Sequence, residues 1–430
     1  MSTSTVLLVR WCRELTYDVY DWAHGKRGVD GGGMQVTNGA IRAVNELTAR
    51  WAGAASGGTV FSAAGVWPLL AFLADGAEGA ARAELAEAVG LPADEAASAG
   101  RELLSAMGGM RGLDSALGLW TQRTLELREE WAAGLPAETH GVLTGDMEAD
   151  HGALDAWAVQ RTGGLIERMP VALTKDTQLV LASALALRTE WQYPFEEWPV
   201  RPRSGPWRAR TLLGLRRSSV LLDLVGVADT PEGYVTELKV PGTTGIDVHL
   251  LLGEERMTPE RVLGAGLGLL DRRHPAVPGP QLPYGDAGPG LRVKKERCTR
   301  PQPPKLDVTT MAYDMTAHHD LLELHRLFGL TTARDAAHGH FPGISGSPLA
   351  IGSAQQSTMA RFGALGFRAA AVTAVAAQPT GAPAGPGYMT TTIRATFDRP
   401  FAFLAVHRTS RLVLAAGWVT DPKPYRQDEG

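Results

Sequence analysis

An α+β fold is predicted by three features of the 430-residue chain: helical spacing is concentrated in its first 170 or so residues, strand-like runs dominate the rest, and strand and helix do not alternate regularly. No internal repeat breaks this order. With 44% hydrophobic and 20% charged residues, the chain has enough apolar material for a large core.

The helical part begins after a polar prelude, residues 1–37, which ends in Gly31, Gly32 and Gly33 and is left unassigned. Asn38 is a candidate cap for a helix whose Ile41, Val44, Leu47, Thr48 and Trp51 share one face. Ser62 is expected to open the next helix, through Trp67, Leu69, Leu70, Phe72 and Leu73, which Gly76 and Gly79 end. A short helix to Val89 and a longer one over 93–108 follow. Residues 113–120 read as a strand, 127–134 as a helix, Val142 as the start of a strand, and 150–166 as a helix stopped by Gly163 and Gly164.

From Gln178 to Leu187 the residues are almost continuously apolar, as a central strand covered on both faces requires. Further strands are expected at 220–227, 234–239, 246–252, 291–297 and 305–310, with a helix at 258–270. Residues 271–290 are rich enough in Pro and Gly for a long surface loop. Leu321, Leu322, Leu324 and Leu327 predict a helix over 318–328. The end of the chain gives two apolar strands, 401–406 and 412–419, around a polar turn.

Composition and motifs exclude several function classes. The net charge is −4 with no long basic block, which argues against a nucleic-acid partner. Arg201, Arg203, Arg208, Arg210, Arg216 and Arg217 are the one basic concentration, read as a solvated face ahead of a polyanion site. No apolar run is long enough to span a membrane, and no secretory leader is evident, so a cytoplasmic monomer is expected. Cys12 and Cys298 stand too far apart in sequence for a zinc-ligand cluster or disulfide framework and are taken as unpaired. His318, His319, His325, His338 and His340 form no metal motif, Asp335 being the only carboxylate near the last two, so no metal or cofactor is expected. Ser62 lies in no nucleophile elbow and is read as a cap. An enzyme is not expected.

One stretch stands apart from ordinary domain sequence. Phe367 to Ala377 is built of Ala, Val and Thr with a single charge, Arg368, and runs into a Pro/Gly/Ala segment, 378–387. Read alone, residues 369–377 fit a small-residue helix or a strand equally.

In this order the segments resemble the serpin family of serine protease inhibitors. VFSAAGVWPLLAFLADGAEG, with Phe61, Ser62, Gly76, Ala77 and Gly79, is similar to the family's early helices, and LDAWAVQRTGGLI to its TxGxI-type turn through Thr162, Gly164 and Ile166. Trp191 and Phe195 match the residues at the exit of the central strand. FDRPFAFLAVHRTSRLVLAAGWVTDP resembles the closing strands through Asp398, Pro400, Phe401, Phe403, Gly417 and Pro422.

The resemblance, over about residues 38–422, implies one serpin domain at 38–423 and a polar tail at 424–430. Early helices would pack on a large central mixed sheet, with smaller sheets and an exposed reactive loop at about 364–392. It further implies a suicide substrate: a serine protease cuts the loop, and the cut loop inserts into the central sheet. Gly366, Phe367, Arg368, Ala369, Ala370, Ala371, Val372 and Thr373 then form the hinge, and Trp191 and Ser183 mark the region that opens. Phe367 stands where a small polar residue is usual, with an expected overpacking cost of ~1–3 kcal/mol.

Counting from Gly366 places the scissile bond at Thr380–Gly381, whereas counting back from the closing strands places it at Met389–Thr390. Met389 suits a chymotrypsin-like or elastase-like protease, and Thr380 an elastase-like or subtilisin-like one. The alternative is a non-inhibitory serpin-fold binding protein whose loop is cut without trapping.

Overall fold

The computed structural model describes residues 38–55, 57–136, 139–335, 337–367 and 387–426. The early helices are α1 (Asn38–Ala54), α2 (Trp67–Gly76), α3 (Gly79–Val89), α4 (Ala93–Gly108), α5 (Glu129–Gly134) and α6 (Met147–Arg161), and α7 (Pro259–Leu270) comes later. Their starts have local causes. Asp146 caps α6 by accepting from the backbone N–H groups of Glu148 and Ala149, and Thr258 caps α7, where Pro259 presets the first turn.

The central sheet contains β2 (Leu113–Gln122), β3 (His140–Leu143), β4 (Leu179–Leu187), β5 (Thr189–Glu190), β15 (Tyr313–Asp320), β16 (Ile351–Phe362) and β17 (Gly366–Phe367). It is mixed: β4 and β16 run parallel side by side, while β2 and β15 pair antiparallel on their outer edges. All nine residues of β4 are buried, as its continuous apolar sequence predicts for a strand covered on both faces.

A second, six-stranded sheet runs β12 (Gly285–Gly288), β13 (Leu291–Cys298), β18 (Tyr388–Thr396), β14 (Lys305–Met311), β7 (Leu212–Ser219), β6 (Glu196–Val200). The third, antiparallel, runs β1 (Thr59–Phe61), β20 (Val413–Val419), β19 (Phe401–His407), β10 (Ile246–Gly253), β9 (Gly233–Val240), β8 (Val225–Thr230), β11 (Ala276–Pro278). Its inner strands β10, β19 and β20 are buried almost throughout.

Four expectations are corrected. Residues 318–328 form no helix: Tyr313–Asp320 pairs residue by residue with β16, and the turns after it bury Leu321 and leave Leu322, Leu324 and Leu327 half-buried. The arginine-rich stretch is not simply a solvated face. Its last part is β7, where Arg217 is buried and Arg216 lies 4.8 Å over the Trp198 ring of edge strand β6. Residues 271–290 are no plain loop, since β11 pairs with β8 and β12 with β13. The strand expected at 220–227 begins only at Val225, after a short 3-10 turn.

Candidate functional site: the hinge and the seam of the central sheet

β16 ends at Phe362, the chain turns through Gly363–Ala364–Leu365, and Gly366 and Phe367 return antiparallel as β17. This two-residue strand lies between β16 and β5, with Phe367 opposite both Phe362 and Thr189, and Gly366 opposite Glu190. Gly366 is required by close approach: a Cβ there would stand 2.3 Å from the Thr189 carbonyl oxygen.

The turn is clamped from one side by the segment after β5. Trp191 donates its backbone N–H to Leu365 O and its indole N–H to Gly363 O, both at 2.9 Å, and Phe195 N–H donates to Ala364 O at 2.8 Å. The Trp191 and Phe195 rings lie 4.8 and 5.9 Å from Phe362. Beneath them Tyr313 stacks on Phe362 at 5.3 Å and on Phe403 at 5.2 Å. Burial pushes the Tyr313 phenol well above its ordinary value, so it stays neutral.

Phe367 is 1% exposed, its ring 6.2 Å from Phe403, so its bulk does not keep it out of the sheet. The aromatic floor therefore accommodates Phe367 at the end of β17. Beside the clamp lies Arg217, whose Nη1 donates to Tyr193 O at 2.7 Å and whose guanidinium sits 4.4 Å over the Phe195 ring. Burial draws its pKa down to about 10.

Lower on the same strand pair, Ser183 of β4 lies opposite Gln356 of β16, both fully buried. Gln356 binds the Ser62 backbone at both ends: its Oε1 accepts from Ser62 N–H at 2.9 Å, and its Nε2 donates to Ser62 O at 2.8 Å. Nε2 also approaches Ser183 Oγ at 3.4 Å, and Thr358 Oγ donates to Oε1 at 3.0 Å. Ser62 Oγ accepts from Gly65 N–H and donates to Leu414 O. Ser62 is therefore not a cap of α2; it joins the β4–β16 seam to the strand layer behind it. Gly65 keeps this node tight, since a Cβ there would lie 2.8 Å from Ser183 Oγ.

A parallel pair of long strands fastened at mid-length by buried polar groups, with a third strand already started antiparallel at one end, has the geometry of a sheet able to accept another strand. Comparison with known proteins points to one family. A family model described as Serpin (serine protease inhibitor) matches residues 35–204. A rice protein, putative serpin-Z6A, is 27% identical over 386 residues, 84% of this chain and 93% of its own length. Human plasminogen activator inhibitor 2 is 22% identical over 351 residues, 77% of this chain and 76% of its own. Human thyroxine-binding globulin, solved with its thyroxine, superposes with a TM-score of 0.67 at 16% identity, covering 91% of this chain and all of its own.

The fold is that of the serpins, and the chain is similar to that family as a divergent relative. Gly366 and Phe367 form β17, Trp191 holds the turn before it, and Ser183 lies lower in the β4–β16 seam. Arg368, Ala369, Ala370, Ala371, Val372, Thr373, Thr380 and Gly381 lie outside the described residues.

Met389 and Thr390 belong to β18, where they pair with Arg297 and Glu296 of β13, and Thr390 Oγ donates to Pro303 O at 3.0 Å. Gln356, Gly65, Thr189 and Tyr313 were not found by sequence reasoning. Two adjacent glutamines in an otherwise small and apolar strand, SAQQSTMA, were the available signal for the first.

Proposed function

We propose that this serpin-like chain inhibits a serine protease as a suicide substrate. The observation that carries the reading is the register of β17. Continued from Phe367 opposite Thr189 and Phe362, that register sets residues 369–377 along the full length of β4, Leu187 back to Leu179. The same positions match β16 in step, because β4 and β16 are themselves paired in that register from Val180 to Leu185.

On insertion, Phe367, Ala369, Ala371, Thr373, Val375 and Ala377 share the inward face, since side chains alternate along a strand. All but Phe367 are small or β-branched. Thr373 arrives between Ser183 and Gln356, so its hydroxyl enters the one polar node of the seam.

Chemically, the protease serine oxygen attacks the scissile carbonyl, and the amine of the following residue leaves with a proton. The acyl-enzyme ester then waits for water. Insertion up to residue 377 carries the tethered protease the length of the sheet before that water attacks, so the ester persists. The inserted length requires a bond just past Ala377, which favours Thr380–Gly381. Met389–Thr390 is disfavoured because its backbone already pairs with β13. Thr380 as the acyl residue favours an elastase-like or subtilisin-like target.

Incubation with one protease of each kind is expected to give an SDS-resistant complex near equimolar stoichiometry. Mass spectrometry should find the released fragment starting at Gly381. Complete turnover of the protein as plain substrate, with no complex, would refute trapping.

A second reading is a non-inhibitory binding protein, for which an open cleft of about 480 Å³ lined by Ala49, Thr230, Glu232, Glu260, Arg261 and His274 offers a place. It predicts cleavage without trapping together with a thermal shift on addition of a small ligand, for which thyroxine is a first probe.

A further inference from the structure

The segment that leads into β16 brings together three side chains with no part in the hinge. Asp335 Oδ2 receives two imidazoles, His338 through Nδ1 at 2.7 Å and His340 through Nε2 at 3.4 Å. The three potential ligand atoms lie within 4.8 Å of one another, and the two rings stand 6.0 Å apart at 47°.

The backbone around them is anchored. Asp335 N–H donates to Thr332 O, Ala337 N–H donates to Asp335 Oδ1 at 2.8 Å, and His340 O accepts from Glu78 N–H at 2.9 Å. Directly beyond His340, Phe341 is buried and Gly343 N–H donates to Gly76 O, the last residue of α2. Asp335 and His340, the outer residues of the D-x-x-H-x-H spacing, are thus each anchored to the backbone around them. A site built on such anchored residues loses less entropy on binding than one gathered from free chain.

We infer that Asp335, His338 and His340 form a binding site for a borderline divalent transition metal ion, zinc above all. Two imidazole nitrogens and one carboxylate oxygen are zinc's preferred ligands at three of four tetrahedral positions, and they are a poor set for calcium or magnesium, which take oxygen. In the metal-free protein the two imidazoles share one carboxylate oxygen. On binding, the ion takes the place of the ring N–H facing that oxygen, and each neutral imidazole carries its one proton on the other ring nitrogen. His338 is largely exposed and His340 about one-fifth, so a fourth position is open to water. A bound ion would tie Asp335 to His340, just ahead of the Phe341 anchor, and so stiffen the lead into one of the two seam strands.

Calorimetric titration of the untagged, chelator-treated full chain with zinc chloride, paired with visible absorption on cobalt(II) loading, tests the site. One equivalent is expected to bind with tetrahedral cobalt bands. His338→Gln and His340→Gln should each weaken that binding about tenfold or more, while His151→Gln on α6 leaves it unchanged. Absence of binding to the parent protein, or binding equally tight in both variants, would overturn the assignment. Circular dichroism of the variants excludes misfolding as the cause of a loss.

Discussion

Phe367 fills the space between Phe403 and the β16 turn, and its removal leaves a void that Trp191, Phe362 and Tyr313 close only by shifting together. Phe367→Ala is therefore expected to cost about 3 kcal/mol, the low end for deleting a buried aromatic. A leftward shift of the first guanidinium unfolding transition measures it, and an unchanged midpoint would mean that the ring contributes nothing to the native hinge. Gly366→Ala acts differently. Its Cβ overlaps the Thr189 carbonyl, which cannot rotate away without breaking the Phe367–Thr189 pairing. The variant should expel β17 from the sheet, and proteolysis after Phe367 should become faster than in the parent protein.

Under the proposed mechanism insertion depends on the β4–β16 seam, whose mid-length polar fastener is Gln356. Gln356→Leu keeps the volume but leaves the Ser62 N–H and C=O without partners in the core, at a cost of about 1–3 kcal/mol for each. Because the loss falls on the closed sheet, a synthetic peptide copying residues 366–378 should anneal to this variant faster than to the parent. Equal rates would place the barrier elsewhere, for instance at the Asp314–Arg361 ion pair joining β15 to β16, whose value is at most about 1 kcal/mol for a part-exposed pair.

How much of these elements the sequence disclosed follows from the range of the forces involved. β4 was legible because a strand buried on both faces must be apolar throughout, and α2 to α4 because their runs of apolar and helix-favouring residues are local signals. Tyr313–Asp320 was misread because Leu321 to Leu327 mimic helical spacing, while the cause of the strand, pairing with β16, lies some 40 residues away. Gly366 was recognised as special, but its reason, the Thr189 carbonyl 177 residues earlier, is visible only in the fold. The polar node was hidden for the same reason, since Ser62, Ser183 and Gln356 come from three distant segments.

At the scale of the molecule, three histidines link stability to pH. Burial lowers the pKa of His140 on β3, His319 on β15 and His407 at the end of β19, with Arg408 adding to the effect on His407 against Asp247 and His318 adding to that on His319 against its bond to Val60 O. The folded state therefore holds them neutral at pH values where the unfolded chain already takes up protons. Their contribution is complete above about pH 6.5 and is lost as the pH falls through that value toward the folded pKa values. The melting temperature should fall between pH 7.5 and pH 5.5, and a flat profile would contradict this linkage.

The proposed mechanism predicts a larger change on cleavage. Inserting residues 369–377 replaces one parallel ladder by two antiparallel ladders, a net gain of about nine hydrogen bonds at roughly 1 kcal/mol each. For a domain of this size that corresponds to a rise in melting temperature of about 10 °C or more. The most direct measurement is the melting temperature of the protein before and after a single cut in the loop by a protease that it does not trap. A rise of that size is predicted; an unchanged or lower value would mean that the cut loop does not enter the sheet.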